Sequence, residues 1–177
     1  MSRPFLDLGD GLEVRRLDPA DVEELQRVID ENRERLRMWM WWADASTIDT
    51  TRDFVQAAID GDKLDPLAIV ADDALVGVIG ADASPITGNH EIGYWISSSH
   101  EGRGIVRRAC AALISHLFEV VRCHRIVITA GTENVRSRAI PERLGFTHEG
   151  TLREAGRSPL GYHDIEVYGL LEHEWRP

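Results

Sequence analysis

The chain has 177 residues and a mass of 19.9 kDa, a length that suits one domain spanning residues 1–177 and leaves little room for two. A hydrophobic share of 43% and a charged share of 28% exclude disordered, collagen-like and low-complexity chains. The formal charge of −10 argues against attraction of the whole surface to nucleic acid or an anionic membrane. No apolar run approaches the roughly 18 residues of a membrane span, and Met1-Ser2-Arg3-Pro4-Phe5 lacks a signal-peptide core, so a soluble, cytoplasmic protein is expected.

Residues 12–17 alternate apolar and polar side chains, as a half-buried strand does. Asp18-Pro19 reads as an N-cap followed by Pro at the first helical position. It opens an amphipathic helix with Val22, Leu25, Val28 and Ile29 on one face and an end near Leu36. Met38-Trp39-Met40-Trp41-Trp42 then holds three of the five tryptophans, and adjacent Trp41 and Trp42 cannot both face the core. A second helix is expected over about residues 50–60, ended by Gly61. From Pro66 the period changes. Residues 67–71 and 74–80 read as antiparallel strands joined by the Asp72-Asp73 turn, and residues 91–96, after the Thr87-Gly88-Asn89 turn, as the third strand of a meander.

A glycine-bearing loop, residues 99–104, feeds a helix carrying Ile105, Ala109, Ala112, Leu113 and Leu117. Residues 125–130 form a β-branched run typical of a central strand buried on both faces. A short helix over 134–144, closed by Gly145, and strands over 146–152 and 165–171 complete the order. Pro141 predicts a kink or a 3₁₀ turn in that helix. Antiparallel strands followed by a strand-helix-strand crossover require a mixed α/β sheet. Cys110 and Cys123 match no zinc or redox spacing and the seven histidines no ligand pair, so ordinary buried thiols and no metal are expected.

The chemistry centres on Glu101-Gly102-Arg103-Gly104-Ile105-Val106. Two glycines at a helix N-terminus set free backbone N–H groups and the positive end of the dipole where a phosphate can sit. Arg103, Arg107 and Arg108 precede or occupy the first turn, where a cation opposes the dipole by about 0.3–1 kcal/mol, so an anion belongs there. The plainer alternative is a solvated basic face in a chain with 19 Arg and one Lys. The third glycine of a dinucleotide fingerprint is missing and no P-loop occurs, so nicotinamide chemistry and nucleotide hydrolysis are not expected.

The succession Glu91-Ile92-Gly93-Tyr94-Trp95-Ile96, Glu101 to Val106, Asn134-Val135-Arg136-Ser137 and Glu142-Arg143-Leu144-Gly145-Phe146 resembles the acyl-coenzyme A-binding core of the GNAT acetyltransferase superfamily. Asn32 to Trp39 with Trp42, and Tyr162-His163-Asp164 with Tyr168, are similar to the branch that acetylates the N-termini of ribosomal proteins. The resemblance implies a GNAT fold: a mostly antiparallel, centrally splayed mixed sheet of about six to seven strands flanked by about four helices. It also implies acetyl-CoA as co-substrate without a metal, a protein N-terminal α-amine as acceptor, and dimers among relatives. Gly102, Arg103 and Gly104 would give backbone N–H groups to the coenzyme pyrophosphate, with Val106 and Arg107 extending that loop. Tyr94, Trp95 and Ile96 would pair with the pantetheine arm, Asn134 would touch it from the far side, and Ser137 would stand near the thioester sulfur. Asn134 with Ser137 three residues on is also a helix N-cap pattern. The family usually carries Gln or Arg where this chain has Glu101, and a small residue at Val106. An acid beside a pyrophosphate is unfavourable, so Glu101 is expected to point away.

Direct transfer from a thioester to an amine needs a neutral amine, a stabilised oxyanion and a proton for the leaving thiolate. An α-amine has a pKa of about 7.7–8.0, so a weak base acting through water suffices. Glu91, at the start of the strand lining the acyl site, is the first candidate base; its plainer role is a surface acid. The resemblance adds Glu154, although the position where relatives place a carboxylate aligns with Gly156. Backbone N–H groups over 94–96 would polarise the carbonyl. Ser137 would donate to the sulfur, with help from Tyr162 or His163, and no acyl-enzyme is expected on either cysteine. Trp39, Trp42 and Tyr162 would bound the acceptor pocket, formed by loops 39–47 and 156–162; the tryptophans read equally well as packing residues. A small amine (polyamine, amino acid or aminoglycoside) and a non-catalytic acyl-CoA-binding module are the alternatives. Residues 101–145 hold eight Arg and four Glu, a basic segment in an otherwise acidic chain.

Overall fold

A computed structural model describes residues 5–61 and 64–177; the signal-peptide expectation for Met1 to Pro4 lies outside the described residues. The elements are β1 (Leu6–Asp7), β2 (Leu12–Arg16), α1 (Asp21–Leu36), α2 (Ile48–Asp60), β3 (Leu64–Ala71), β4 (Ala74–Ala83), β5 (His90–Ile96), α3 (Ile105–His116), β6 (Arg125–Gly131), α4 (Val135–Arg143), β7 (Thr147–Ser158) and β8 (Gly161–Leu171). They form one sheet in the order β1-β2-β3-β4-β5-β6-β8-β7. The mixed α/β architecture with four α-helices is the expected one. The strands number eight rather than six to seven, because β1 is only two residues long and carries no readable alternation.

Neighbouring strands from β1 to β5 are antiparallel, as are β6 with β8 and β8 with β7; β5 and β6 are parallel. The β5–β6 ladder comprises only His90↔Ile126 and Glu91↔Val127. Beyond Glu91 the two strands diverge into a V whose apex is Glu91 and whose open end is Ile96 on one side and Gly131 on the other.

Strand alternation sends one set of side chains to each face of the sheet. Ile92 and Ile96 of β5, Ile126 and Ile128 of β6, and Tyr168 and Leu170 of β8 pack with Ala109, Cys110, Leu113 and Ile114 of α3. The opposite face joins Ala68, Val70, Leu75 and Val78 to Leu25 and Ile29 of α1 and Val55 of α2, with Trp42 and Trp95 against this second cluster. Each fully buried Leu or Ile contributes roughly 1.5–3 kcal/mol. The face beneath the V is therefore filled by α3.

Several local expectations change. Asp18 is not the cap of α1: Ala20 holds that position, Asp18 Oδ1 accepts from Ala20 N at 2.9 Å, and Asp18 N donates to Asp21. Asp21 is instead tied bidentately to Arg15, both contacts 2.7 Å. The second helix starts at Ile48, two residues before the expected start, behind a Thr47–Thr50 capping box. The last two strands are longer than expected, so the expected acceptor loop 156–162 is the end of a β7–β8 hairpin. α4 stays α-helical through Pro141, with neither a kink-forming 3₁₀ segment nor a break. The N–H that Pro141 lacks would have reached the carbonyl of Ser137 four residues back. The Tyr94 hydroxyl donates to that carbonyl at 3.0 Å instead. Both cysteines are free and buried. Burial pushes the Cys123 thiol up to about 11 and that of Cys110 higher still, so both are neutral thiols at pH 7.

Candidate active site

A groove of about 1060 Å³ enters the V between the N-termini of α3 and α4. Gly102 and Gly104 form its floor with φ of 73° and 75°. No heavy atom lies within 4 Å of where a Cβ would stand on either, so backbone conformation, not crowding, calls for glycine there. Gly104 occupies the N-cap of α3, and no side chain caps that helix. The first-turn N–H groups of α3 therefore face the groove without a side-chain partner, an arrangement suited to an anion. Val106 is in this turn and lines the groove, while it also packs with the core.

Charge is concentrated on the same walls. Arg103 and Arg107 line the groove beside α3, and Arg136 and Arg143 line it from α4. Arg108, grouped with them in the sequence, turns away to the β1–β2 turn, where it donates to the carbonyls of Leu8 at 2.5 Å and Gly9 at 3.3 Å. Glu101 does not point away. Its carboxylate lies in the groove, bonded to Arg35 of α1 at 2.6 Å and to Arg136 on the opposite lip. Arg35 also donates to the carbonyl of Ile96, on the edge of β5 that β6 leaves unpaired. Sequence reasoning missed this Arg35–Glu101–Arg136 bridge because its members lie more than thirty residues apart, so no spacing connects them.

Tyr94, Trp95 and Ile96 line the groove, as do Asn134 and Ser137 across from them. Asn134 caps α4, its Oδ1 accepting from Ser137 N at 3.2 Å. The Ser137 hydroxyl donates to Tyr94 at 3.3 Å, while Tyr94 donates to the Ser137 carbonyl. Burial raises the Tyr94 pKa well above its ordinary value, so the phenol stays a neutral donor. The carbonyl left open by Pro141 thus anchors β5 to α4 and holds the Ser137 side chain at the groove wall.

The other candidates spread over the α1/α2 face. Glu91, at the apex, accepts from Thr129 Oγ1 at 2.7 Å. Trp39 lines the groove and packs on the backbone of Gly131, where a Cβ would come within 2.8 Å of its ring. Trp42 stands behind it against Trp95, ring centroids 6.2 Å apart, and Trp41 is 70% exposed. Tyr162 is 69% exposed on the hairpin and is not among the groove residues. Glu154 is exposed in the β7 bulge between Leu152 and Gly156, at a φ of 51°, with its N–H held by Asp164 at 2.8 Å. The structure brings the glycine loop, Tyr94 to Ile96 of β5, Asn134, Ser137 and Trp39 to one groove; it leaves Glu91, Trp42, Glu154, Tyr162 and His163 outside its lining.

A model of the "Acetyltransferase (GNAT) domain" family matches residues 12–147. YdaF of Bacillus subtilis strain 168, described as a putative ribosomal N-acetyltransferase, is 35% identical over 171 residues, 92% of each chain. The ribosomal-protein-serine acetyltransferase of Escherichia coli K12 is 29% identical over 171 residues, covering 94% of this chain and 96% of that one. Among solved structures, RimL, the ribosomal L7/L12 α-N-protein acetyltransferase in complex with coenzyme A, superposes with a TM-score of 0.87 at 27% identity, covering 93% of this chain and 96% of its own.

Proposed function

The chain belongs to the GNAT acetyltransferase family, and from that premise we propose that it transfers the acetyl group of acetyl-CoA directly to the N-terminal α-amine of a ribosomal protein in the cytoplasm. The observation that carries this reading is the groove: an uncapped helix N-terminus behind two left-handed glycines, flanked by arginines, leads into a V between β-strands and ends at Trp39. Near full-length similarity to enzymes named for ribosomal-protein acetylation supports the acceptor class.

The residues present fit an acyl-CoA. Gly102, Arg103 and Gly104, with the first turn of α3 at Val106 and Arg107, hold its pyrophosphate by backbone N–H groups and charge. The unpaired edge of β5 at Tyr94, Trp95 and Ile96 offers main-chain groups to the pantetheine amides, and Asn134 faces them from α4. N–H groups of that edge polarise the thioester carbonyl. Ser137, steadied by Tyr94, donates a hydrogen bond to the leaving sulfur. Glu91 places negative charge on the acceptor face and favours a cationic amine; Trp39 and Trp42 wall its approach. Glu154 and Tyr162 lie at the outer rim, where they meet the rest of an acceptor chain.

Release of free coenzyme thiol separates the readings. Peptides bearing ribosomal-protein N-termini are expected to support release at a kcat/KM at least tenfold above polyamines, amino acids or aminoglycosides. A reversed order establishes a small-amine enzyme, and tight acetyl-CoA binding without release for any amine establishes a binding module.

A further inference from the structure

We propose that His163 of β8 is the catalytic residue that takes the proton from the acceptor ammonium; the proposal rests on the amine transfer set out above. Thr129 and Gly131 lie on the same face of β6 as the acceptor side of the V. His163 comes to Gly131 from the neighbouring strand: a Cβ on Gly131 would stand 3.2 Å from His163 Cδ2 and 2.8 Å from the Trp39 ring. A Cβ on Gly156 of β7 would run into His163 Nε2 and stand 2.7 Å from the same Cδ2, so Nε2 is turned to β7. The imidazole is thus half-buried between two strands that give it room only because both positions lack a side chain. It also packs on Trp39, edge to face at 5.8 Å and 85°. Trp39 also lines the cofactor groove, so one indole is the wall shared by the groove and the histidine.

Nδ1 is the ring nitrogen not turned to β7. His148 is bonded to Glu166 and His100 to Ser97, whereas among the described residues neither nitrogen of His163 has a hydrogen-bond partner. Glu91 is less suited. One oxygen of its carboxylate accepts from Thr129, and it lies four residues from Trp95, about 13 Å along the strand, at the closed end of the V. Of the three ammonium protons, one passes to His163 and then to solvent, one stays on the new amide, and one ends on the sulfur. The C–N bond forms as the C–S bond breaks, and its electron pair leaves with the thiolate.

The test compares H163Q, H163A and E91Q with wild type, using whichever peptide the wild type acetylates. Both His163 variants are expected to lose about 100-fold or more in kcat while binding acetyl-CoA within twofold of wild type by calorimetry. Added imidazole is expected to restore H163A at least tenfold and to leave E91Q unchanged. In the wild-type complex with coenzyme A, the His163 Hε1 resonance, identified by its loss in H163Q, is expected to move when peptide is added. A kcat within threefold of wild type in H163Q overturns the proposal, as does a loss that imidazole does not restore. If H163A fails to fold, the H163Q rate and the resonance decide, and an unmoved resonance overturns it. Wild-type transfer with an unimpaired H163Q removes this inference alone; absence of transfer to any amine removes the functional reading and this inference with it.

Discussion

Gly104→Ala separates backbone strain from cofactor recognition when it is paired with Gly88→Ala. The two glycines have φ of 75° and 68°, and neither has a heavy atom within 4 Å of where an added methyl would stand, so both substitutions impose the same left-handed backbone on an L-residue without a clash. That conformation costs about 1–2 kcal/mol, and a chain of this length loses about 2–4 °C in Tm per kcal/mol. Both variants are therefore expected to melt roughly 2–8 °C below wild type. Gly88 lies in the β4–β5 turn, with its N–H donating to Ser84 at 2.9 Å, away from the groove. Gly104 caps α3, and a methyl there stands where a phosphate approaches the first-turn N–H groups. Loss of one hydrogen bond to a charged group is worth about 1.5–3 kcal/mol, or roughly 10- to 150-fold in Kd. Differential scanning fluorimetry and calorimetric titration with acetyl-CoA measure the two quantities. The phosphate assignment fails if G104A binds acetyl-CoA as well as G88A does.

Ser137→Ala is expected to lower kcat by about 10- to 100-fold while acetyl-CoA binding stays within twofold, since the hydroxyl acts on the leaving group; an unchanged kcat in stopped-flow thiol release removes Ser137 from the reaction. Glu101→Gln removes a negative charge from the groove, and one charge at about 4 Å in water is worth about 1 kcal/mol. Acetyl-CoA is therefore expected to bind roughly fivefold more tightly at low ionic strength, with the gain fading as salt is raised; weaker binding would show that the bridge to Arg35 and Arg136 organises the site. Glu166 is buried and its carboxylate is held below its ordinary pKa by hydrogen bonds from Thr151, His148 and Thr132, which outweigh the cost of burying the charge. Stability from its ionised form is present above about pH 4.3 and is lost as the pH falls through the lowered native value. The Tm of Glu166→Gln, followed from about pH 6 to about pH 3, is expected to fall less steeply than that of wild type.

What was legible in the chain was local. The alternation of residues 12–17, the β-branched run 125–130 and the glycine-bearing turn before α3 each contain their own structural signal within a few residues, and the elements stand where those patterns put them. Element ends drifted where a cap or bulge decides them: Thr47 outweighs the weaker pattern at Thr50, and the bulge at residues 152–156 hides that β7 continues to Ser158. The short helix shows the limit most directly. Pro141 argues for distortion when only its own missing N–H is considered, yet the partner that satisfies the freed carbonyl is Tyr94, on a strand 43 residues before Ser137. The same holds for Glu101, whose environment is set by Arg35 on α1 and Arg136 on α4.

The basic segment illustrates how a sum over sequence can be correct with a different membership in space. Residues 101–145 carry a surplus of four positive charges, but three of those arginines serve the scaffold. Arg108 ties down the β1–β2 turn, Arg125 pairs with Glu149, and Arg138 bonds Tyr168 and the carbonyl of Thr132. The charged side chains that line the groove are Arg35, Arg103, Arg107, Arg136 and Arg143 with Glu101, again a surplus of four, and Arg35 comes from outside the segment. Of these, Arg103 has Asp72 at 3.6 Å, and its side chain is 52% exposed; a pair so open to solvent contributes little. Arg107 and Arg143 have no ion-pair partner among the described residues. The unneutralised charge therefore sits on both lips at once, one arginine on α3 and one on α4. A ligand with phosphates can draw the two lips together, whereas a flat basic face would bind an anion from one side only.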